Sequence, residues 1–303
     1  MDINSIAECS IESKEKYEDI DFKEVTTLKQ KIIQVIRHII LAGISFITFF
    51  PFLWMFFNAL KTKDEIFSSR FNLIPSSFKF DNFINVFKEA PFEVYLGNSL
   101  FVASVEVLFQ VISGAMIAYA LTQFKFRGRT LLFGIIMCTY MLPSAVTYVP
   151  CYIMLSKVGL IDTLTGIIVS NLSNVFGIFL LRQAFLQINK SLIEAARIDG
   201  ASHFKILWRI IFPLTKPTFI TFGLISFVTY YNEYMYPSLI TKSPEKFLVS
   251  AGLRQFFIQG GAYGIKWPEV MAASTITVLP LLLLFLCAQK WFIKGVGDSG
   301  VKE

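Results

Sequence analysis

Charge is scarce in this chain. Asp, Glu, Lys and Arg together make up 17% of 303 residues, against about 25% in ordinary soluble domains. That shortage argues against a soluble enzyme, a nucleic-acid module or a disordered chain. Histidine is nearly absent: only His38 and His203 occur. They are far apart, and no cluster of Cys, Asp or Glu supplies metal-ligand spacing around them. The four cysteines, Cys9, Cys138, Cys151 and Cys287, show no such spacing either. Three lie in apolar runs and read as reduced packing residues. There is no Gly-Lys dipeptide, so the chain has no phosphate-cradling loop of the G-x-x-x-x-G-K-[ST] type. Any ATP-driven function then requires a separate subunit. Neither H-E-x-x-H nor G-x-S-x-G is present, which removes the usual signatures of an intramembrane protease or acyltransferase. Internal repeats, which a stand-alone secondary transporter would show, are missing too.

What is abundant is apolar. Hydrophobic residues make up 54%, including 32 Phe, and the mean hydropathy is +0.57. A bilayer-crossing helix needs about 20 mostly apolar residues. Six windows qualify: Ile36–Leu60, Leu96–Leu121, Thr130–Ile153, Leu164–Leu186, Phe219–Ile240 and Val270–Trp291. The expected fold is therefore all-α, a polytopic membrane protein with six transmembrane helices. Prolines inside several windows (Pro51, Pro143, Pro237, Pro280) do not cancel them, because neighbours can satisfy the freed carbonyls.

Orientation follows from Lys and Arg. With both termini cytoplasmic, the inside segments hold 18 of the 28 basic residues. The bias is clearest in the tight loop Lys125–Arg129. The same bias explains the net charge of +6 without nucleic acid. Met1–Glu24 carries eight acidic residues against three Lys, so it reads as an acidic tail and not a signal peptide. The expected organisation is a cytoplasmic tail over residues 1–34, a first span and long extracytoplasmic loop over 35–95, a main transmembrane domain over 96–292 and a second tail over 293–303. The loop Lys61–Glu93 is expected to form short surface helices.

One inside loop, residues 187–217, is too elaborate for a connector. Ser191 and Glu194 have capping-box spacing, which predicts a helix start there. Ala195, Ala196 and Ile198 continue it. Gly200 can take positive φ and end it. Ser202 can cap a second helix, in which Phe204, Leu207, Ile210 and Ile211 recur at helical spacing before Pro213. Two short helices joined by a glycine bend make a rigid projection with small residues on it, suited to docking into a cleft of another protein.

The string Glu194-Ala-Ala-Arg-Ile-Asp-Gly-Ala-Ser202, followed by Ile211-Phe-Pro-Leu214, resembles the EAA loop of binding-protein-dependent ABC transporter permeases, with the MetI-like fold, and most resembles their carbohydrate-uptake branch. Tyr119-Ala-Leu-Thr122, Asp162-Thr-Leu-Thr-Gly166 and Tyr231-Asn-Glu-Tyr234 resemble further stretches of that branch. The resemblance implies a non-enzymatic permease subunit of the bacterial cytoplasmic (inner) membrane. It implies a second homologous permease, two copies of a cytosolic ABC ATPase and an extracytoplasmic solute-binding protein as partners. No cofactor is bound by the chain, ATP and Mg being used by the ATPase. Glu194, Ala195, Ala196, Asp199, Gly200 and Ala201 become the expected docking residues, and sugar or sn-glycerol 3-phosphate the expected cargo.

Intramembrane carboxylates should face a bundle interior or a watery cavity. Glu233, with Tyr230, Tyr231, Asn232 and Tyr234, is a polar-aromatic group suited to sugar hydroxyls and reads as a pathway candidate. Glu106 is a second candidate, for which an interhelical hydrogen bond is the favoured role.

Overall fold

The computed structural model describes residues 28–68, 72–259 and 265–297. The acidic stretch up to residue 27 and residues 298–303 lie outside them. Helix α1, Leu28–Ala59, begins before the expected end of the first tail, because Leu28-Lys-Gln-Lys-Ile-Ile contains no breaker. Residues up to Leu53 form a unit of their own. From Ile39 on, this part of α1 is apolar on every face, as a bilayer-spanning helix is.

The second unit, from Trp54 on, holds everything else. Two short helices, α2 (Lys63–Ile66) and α3 (Asp81–Glu89), occupy the loop expected to carry them. α3 does not merely lie on a surface: its Val86 is fully buried in a core with Phe92, Tyr95, Tyr231 and Val270. Lys266 also pairs with Glu89 and, at 3.5 Å, with Glu269. Lys266 is more than half exposed, so these pairs add little, and the apolar seat holds α3 in place.

α4 (Phe92–Gln123) is an unbroken 32-residue helix and the centre of the bundle. α5 (Arg129–Tyr140) and α6 (Ser144–Lys157) meet at a 97° bend around Pro143. α7 (Leu164–Ser170) and α8 (Val175–Leu186) meet at 45°. The loop helices follow: α9 (Lys190–Ile198), then α10 (His203–Leu214), which widens into a π-turn over Leu207–Ile211. An 86° bend at Thr215 leads into α11 (Lys216–Tyr231). α12 (Met235–Ile240), α13 (Val249–Gln259) and α14 (Trp267–Gly297) complete the described chain.

Three of the six apolar windows thus appear as unbroken helices and two as bent pairs, while Phe219–Ile240 runs across a break between α11 and α12; the third bent pair instead joins α10 to α11. Hydropathy averages hide such breaks. The break between α7 and α8 is stable because α4 satisfies it: Gln110 Nε2 donates to Asn171 O at 2.6 Å and Ser113 Oγ donates to Leu172 O at 2.8 Å. Unsatisfied carbonyls at that depth would cost several kcal/mol each (~2–7). α4 packs on α8 and α11, and α11 on α14.

Asp162 pins the far loops together. It sits at φ 60°, accepts from Lys242 N at 2.8 Å and Ser243 N at 2.9 Å, and is also bonded by Ser243 Oγ. The Ser243 hydroxyl, then the Ser243 and Lys242 amides, hold its carboxyl down to about 2 from the ordinary 3.8. A depressed folded pKa gives stability that is complete above about 3.8 and is lost as pH falls through about 2. Thermal melts from pH 7 to 2 should show the protein losing an advantage over Asp162→Asn within that window; an unchanged gap would contradict it.

Candidate functional site

The 187–217 loop folds as an elbow whose inner face is glued to the bundle. Ile193 and Ala196 of α9 join Ile206, Leu207 and Ile211 of α10 in a core with Tyr119, Leu181, Phe185, Phe219 and Phe222. Burying one such aliphatic residue is worth about 1.5–3 kcal/mol. The helix starts earlier than the Ser191–Glu194 box predicts. Asn189 is the cap, its Oδ1 accepting from Ser191 N at 3.0 Å. Asn caps as well as Ser does, and starting at Asn189 lets Lys190 join the helix. Glu194 is thereby released from capping and stands exposed.

The bend is a complete Schellman turn. Gly200 sits at φ 75°, its N–H donating to Arg197 O at 3.0 Å, while Ala201 N donates to Ala196 O at 2.9 Å. Ser202 Oγ then accepts from Lys205 N at 3.3 Å, capping α10 as expected. Of the six expected docking residues, Glu194, Ala195, Asp199 and Gly200 are exposed, Ala201 is half-buried and Ala196 faces the bundle. Two further apolar residues of the elbow are exposed. Ile198 is 87% exposed and Phe204 67% exposed, flanking the bend as apolar knobs. Phe204 was expected on the face of Leu207 and Ile211, but it sits in the first turn of α10, ahead of the part that the bundle covers.

A ring clamp ties the elbow to α4. His203 Nδ1 lies 2.8 Å from Tyr119 OH, and the Phe124 ring meets the imidazole edge-on at 4.8 Å. A net hydrogen bond of about 0.5–1.5 kcal/mol is about a two- to tenfold effect. Tyr119→Phe is expected to reduce whatever activity runs through the elbow by that factor, His203→Ala similarly, and the double variant no further. Fully additive losses in that cycle would refute a direct link.

A second polar group sits around the α7–α8 break. Glu106 Oε1 accepts from Asn171 Nδ2 at 3.0 Å, and Asn174 Nδ2 donates to Tyr230 OH at 3.3 Å. Glu106 and Gln110 are fully buried, and each keeps one side-chain oxygen unpartnered. The interhelical hydrogen bond expected for Glu106 is present. The five-residue stretch 230–234 divides. Tyr230 joins the break, while Tyr231 is fully buried, stacks on Phe227 and donates to Thr277 O at 2.9 Å. Asn232 is exposed and donates to Val228 O at 2.8 Å. Glu233 is half-buried, and Tyr234 lies under the Arg254 guanidinium at 5.5 Å. Gln110, Ser113, Asn171 and Asn174 were not anticipated; their signal is four polar residues inside apolar windows. Among the described residues, no three His, Cys, Asp or Glu come together as a metal site.

A helical membrane bundle with broken spans and a docked, exposed helical elbow defines a transport permease driven through another subunit. The family of binding-protein-dependent transport system inner membrane components matches residues 110–298, and the chain belongs to it. It is a permease of ABC importers, with ATP hydrolysis on a separate subunit. It is 28% identical over 281 residues to the arabinooligosaccharides transport system permease protein AraQ of Halalkalibacterium halodurans, covering 91% of this chain and 100% of that one. It is 30% identical over 273 residues to the sn-glycerol-3-phosphate transport system permease protein UgpE of Yersinia pestis, covering 88% and 97%. A putative ABC transporter permease of Caldicellulosiruptor is 34% identical over 266 residues, covering 87% and 95%. In structure, the chain resembles a bacterial ABC transporter that imports the acidic polysaccharide alginate, with a TM-score of 0.77 at 24% identity, covering 88% and 98%.

Proposed function

We propose that this permease serves a sugar importer, pairing with a second homologous permease above two copies of a cytosolic ABC ATPase that use ATP and Mg. An extracytoplasmic solute-binding protein delivers the cargo. Both termini and the elbow lie on the cytoplasmic side of the inner membrane. The observation that carries this reading is the elbow itself. A Schellman-bent pair of helices presents Glu194, Ala195, Asp199 and Gly200 outward while its inner face is fixed to the spans. ATPase closure pushes on that projection and tips the bundle between inward- and outward-facing states, each ligand shifting the equilibrium by its differential affinity.

Sugar is favoured over sn-glycerol 3-phosphate by the groups at the span break. Asn171, Asn174, Gln110, Ser113 and Tyr230 are uncharged amides and hydroxyls bonded to one another and to the break, with no cation among them. Such groups match hydroxyl-rich cargo, whereas a phosphate would call for Lys or Arg. In this reading Tyr230, Asn232, Glu233 and Tyr234 are the pathway candidates, while Glu106 and Tyr231 hold helices together. Co-purification from detergent should bring down an ATPase and a second permease, and reconstituted vesicles should take up arabinotriose with the cognate binding protein. A permease that purifies alone, or a system that moves only sn-glycerol 3-phosphate, would overturn the corresponding part.

A further inference from the structure

The turn joining α4 to α5 gathers positive charge with no negative charge to answer it. Lys125, Arg127 and Arg129, with Phe126 and Leu131, line an open hollow of about 490 Å³. Lys125 and Arg127 are exposed. Arg129 is half-buried and fixed in place, its Nη1 donating to Thr122 O at 3.4 Å and to Phe124 O at 3.3 Å. Arg182 of α8 adds a fourth cation. Its guanidinium lies 4.0 Å from the centroid of the Phe133 ring, and its charge and that of Arg129 repel. Between Glu106 and Glu194 the sequence has one acidic residue, Asp162, and that carboxylate is committed to Lys242 and Ser243. Among the described residues, no carboxylate pairs with any of the four cations.

A basic turn alone would be answered by water and salt. Here apolar surface begins within two residues of the last cation. Leu131, Ile135 and Cys138 recur at helical spacing along one face of α5, and all three are exposed. Phe126 is exposed beside them. The occupant that matches this order carries a negative head and an apolar body. A phosphodiester suits the head, because the planar forks of Arg match phosphate oxygens and Lys adds a point charge. Basic pockets between membrane helices hold anionic lipid headgroups in this way. A free phosphate, or an acidic protein segment, would answer the charge and leave the face from Leu131 to Cys138 uncovered.

We infer that this hollow is a binding site for an anionic glycerophospholipid, its phosphodiester held by Lys125, Arg127 and Arg129 and its acyl chains lying along the face of Leu131, Ile135 and Cys138. Arg182 contributes through its charge alone, since it does not line the hollow. The turn begins next to Phe124, whose ring meets His203 edge-on, so a bound lipid braces the end of α4 that grips the elbow. The site is independent of the cargo and goes beyond the sugar-importer reading.

The test is thermal melting of the purified, detergent-solubilised transporter titrated with phosphatidylglycerol, with phosphatidylcholine or with inorganic phosphate. The native melting temperature is expected to rise saturably with phosphatidylglycerol and to stay level with the other two. In Lys125→Gln with Arg127→Gln, the half-saturating phosphatidylglycerol concentration should rise roughly tenfold or more. Both side chains are exposed, so the change leaves the core alone. Lys205→Gln with Arg209→Gln removes the same charge from exposed positions on the elbow and should keep the native value. A phosphatidylglycerol with a photoreactive group on its acyl chain should label the peptide that carries Leu131, Ile135 and Cys138. A flat native response overturns the site, as does an equal rise with phosphatidylcholine. An equal rise with inorganic phosphate overturns the lipid as occupant. Equal weakening by the elbow pair, an unchanged half-saturation in the turn pair, or label confined to other helices would each overturn the placement.

Discussion

Gly200→Val is expected to cut ATP-driven uptake at least tenfold while the assembled transporter keeps its basal ATPase. The reason lies in the backbone and not in crowding. A Cβ at Gly200 would meet nothing within 4 Å, but the residue sits at φ 75°. That conformation costs an L-residue about 1–2 kcal/mol, and a β-branched one is worst suited to it. The chain would relieve the strain by abandoning the Schellman turn, releasing the bonds from Gly200 to Arg197 and from Ala201 to Ala196. α9 and α10 would then meet at a new angle, and the exposed face from Glu194 to Asp199 would no longer fit the ATPase cleft proposed for it. Gly200→Asn, which tolerates positive φ, should retain most of the uptake. Vesicle uptake and ATPase assays side by side decide this; native-level uptake by the Val variant at native expression would sink the docking role.

Gly177→Ala is expected to be strongly damaging to the bundle. A methyl there would lie 2.0 Å from Phe222 Cζ and 2.2 Å from its Cε2. Phe222 is fully buried between α4, α8 and α11 and has no room to turn aside. Gly114 of α4 faces the same ring, 3.8 Å from Phe222 Cε1. Close helix approach through small residues is how membrane bundles gain packing energy. Overpacking such a contact costs about 1–3 kcal/mol, and each kcal/mol lowers melting by about 2–4 °C in a protein of this size. Melting of the detergent-solubilised protein should fall accordingly, and Gly177→Ala with Phe222→Leu should recover most of the loss. A melt unchanged by Gly177→Ala would mean that the crossing is looser than described.

The elbow was largely legible in the sequence because its signals are local. Positive φ at Gly200 and the Ser202 cap follow from residue type and spacing within a few positions. The true start at Asn189 was missed because Asn and Ser cap equally well, and Ser191 with Glu194 offered a second, complete pattern two residues on. The span breaks were missed for the opposite reason. Asn171 O is satisfied by Gln110, 61 residues away, and no window of hydropathy contains that partner. Tyr231 illustrates the last limit. In a helix apolar on all sides, periodicity does not say which face meets protein and which meets lipid. A Tyr grouped with polar neighbours thus proved to be a core ring bonded to Thr277.

The uninterrupted length of α4 has a mechanical consequence. At about 1.5 Å per residue its 32 residues span roughly 48 Å. Near one end Tyr119 and the ring of Phe124 just beyond grip His203; towards the middle Glu106, Gln110 and Ser113 hold the split span; near the other end Tyr95 packs against Gly252. With no proline hinge to absorb the motion, a tilt of about 5° displaces one tip relative to the other by roughly 4 Å over that length. A nudge delivered through the imidazole would thus be felt on the opposite side of the bilayer as a lever stroke, simultaneous with the shift at mid-depth.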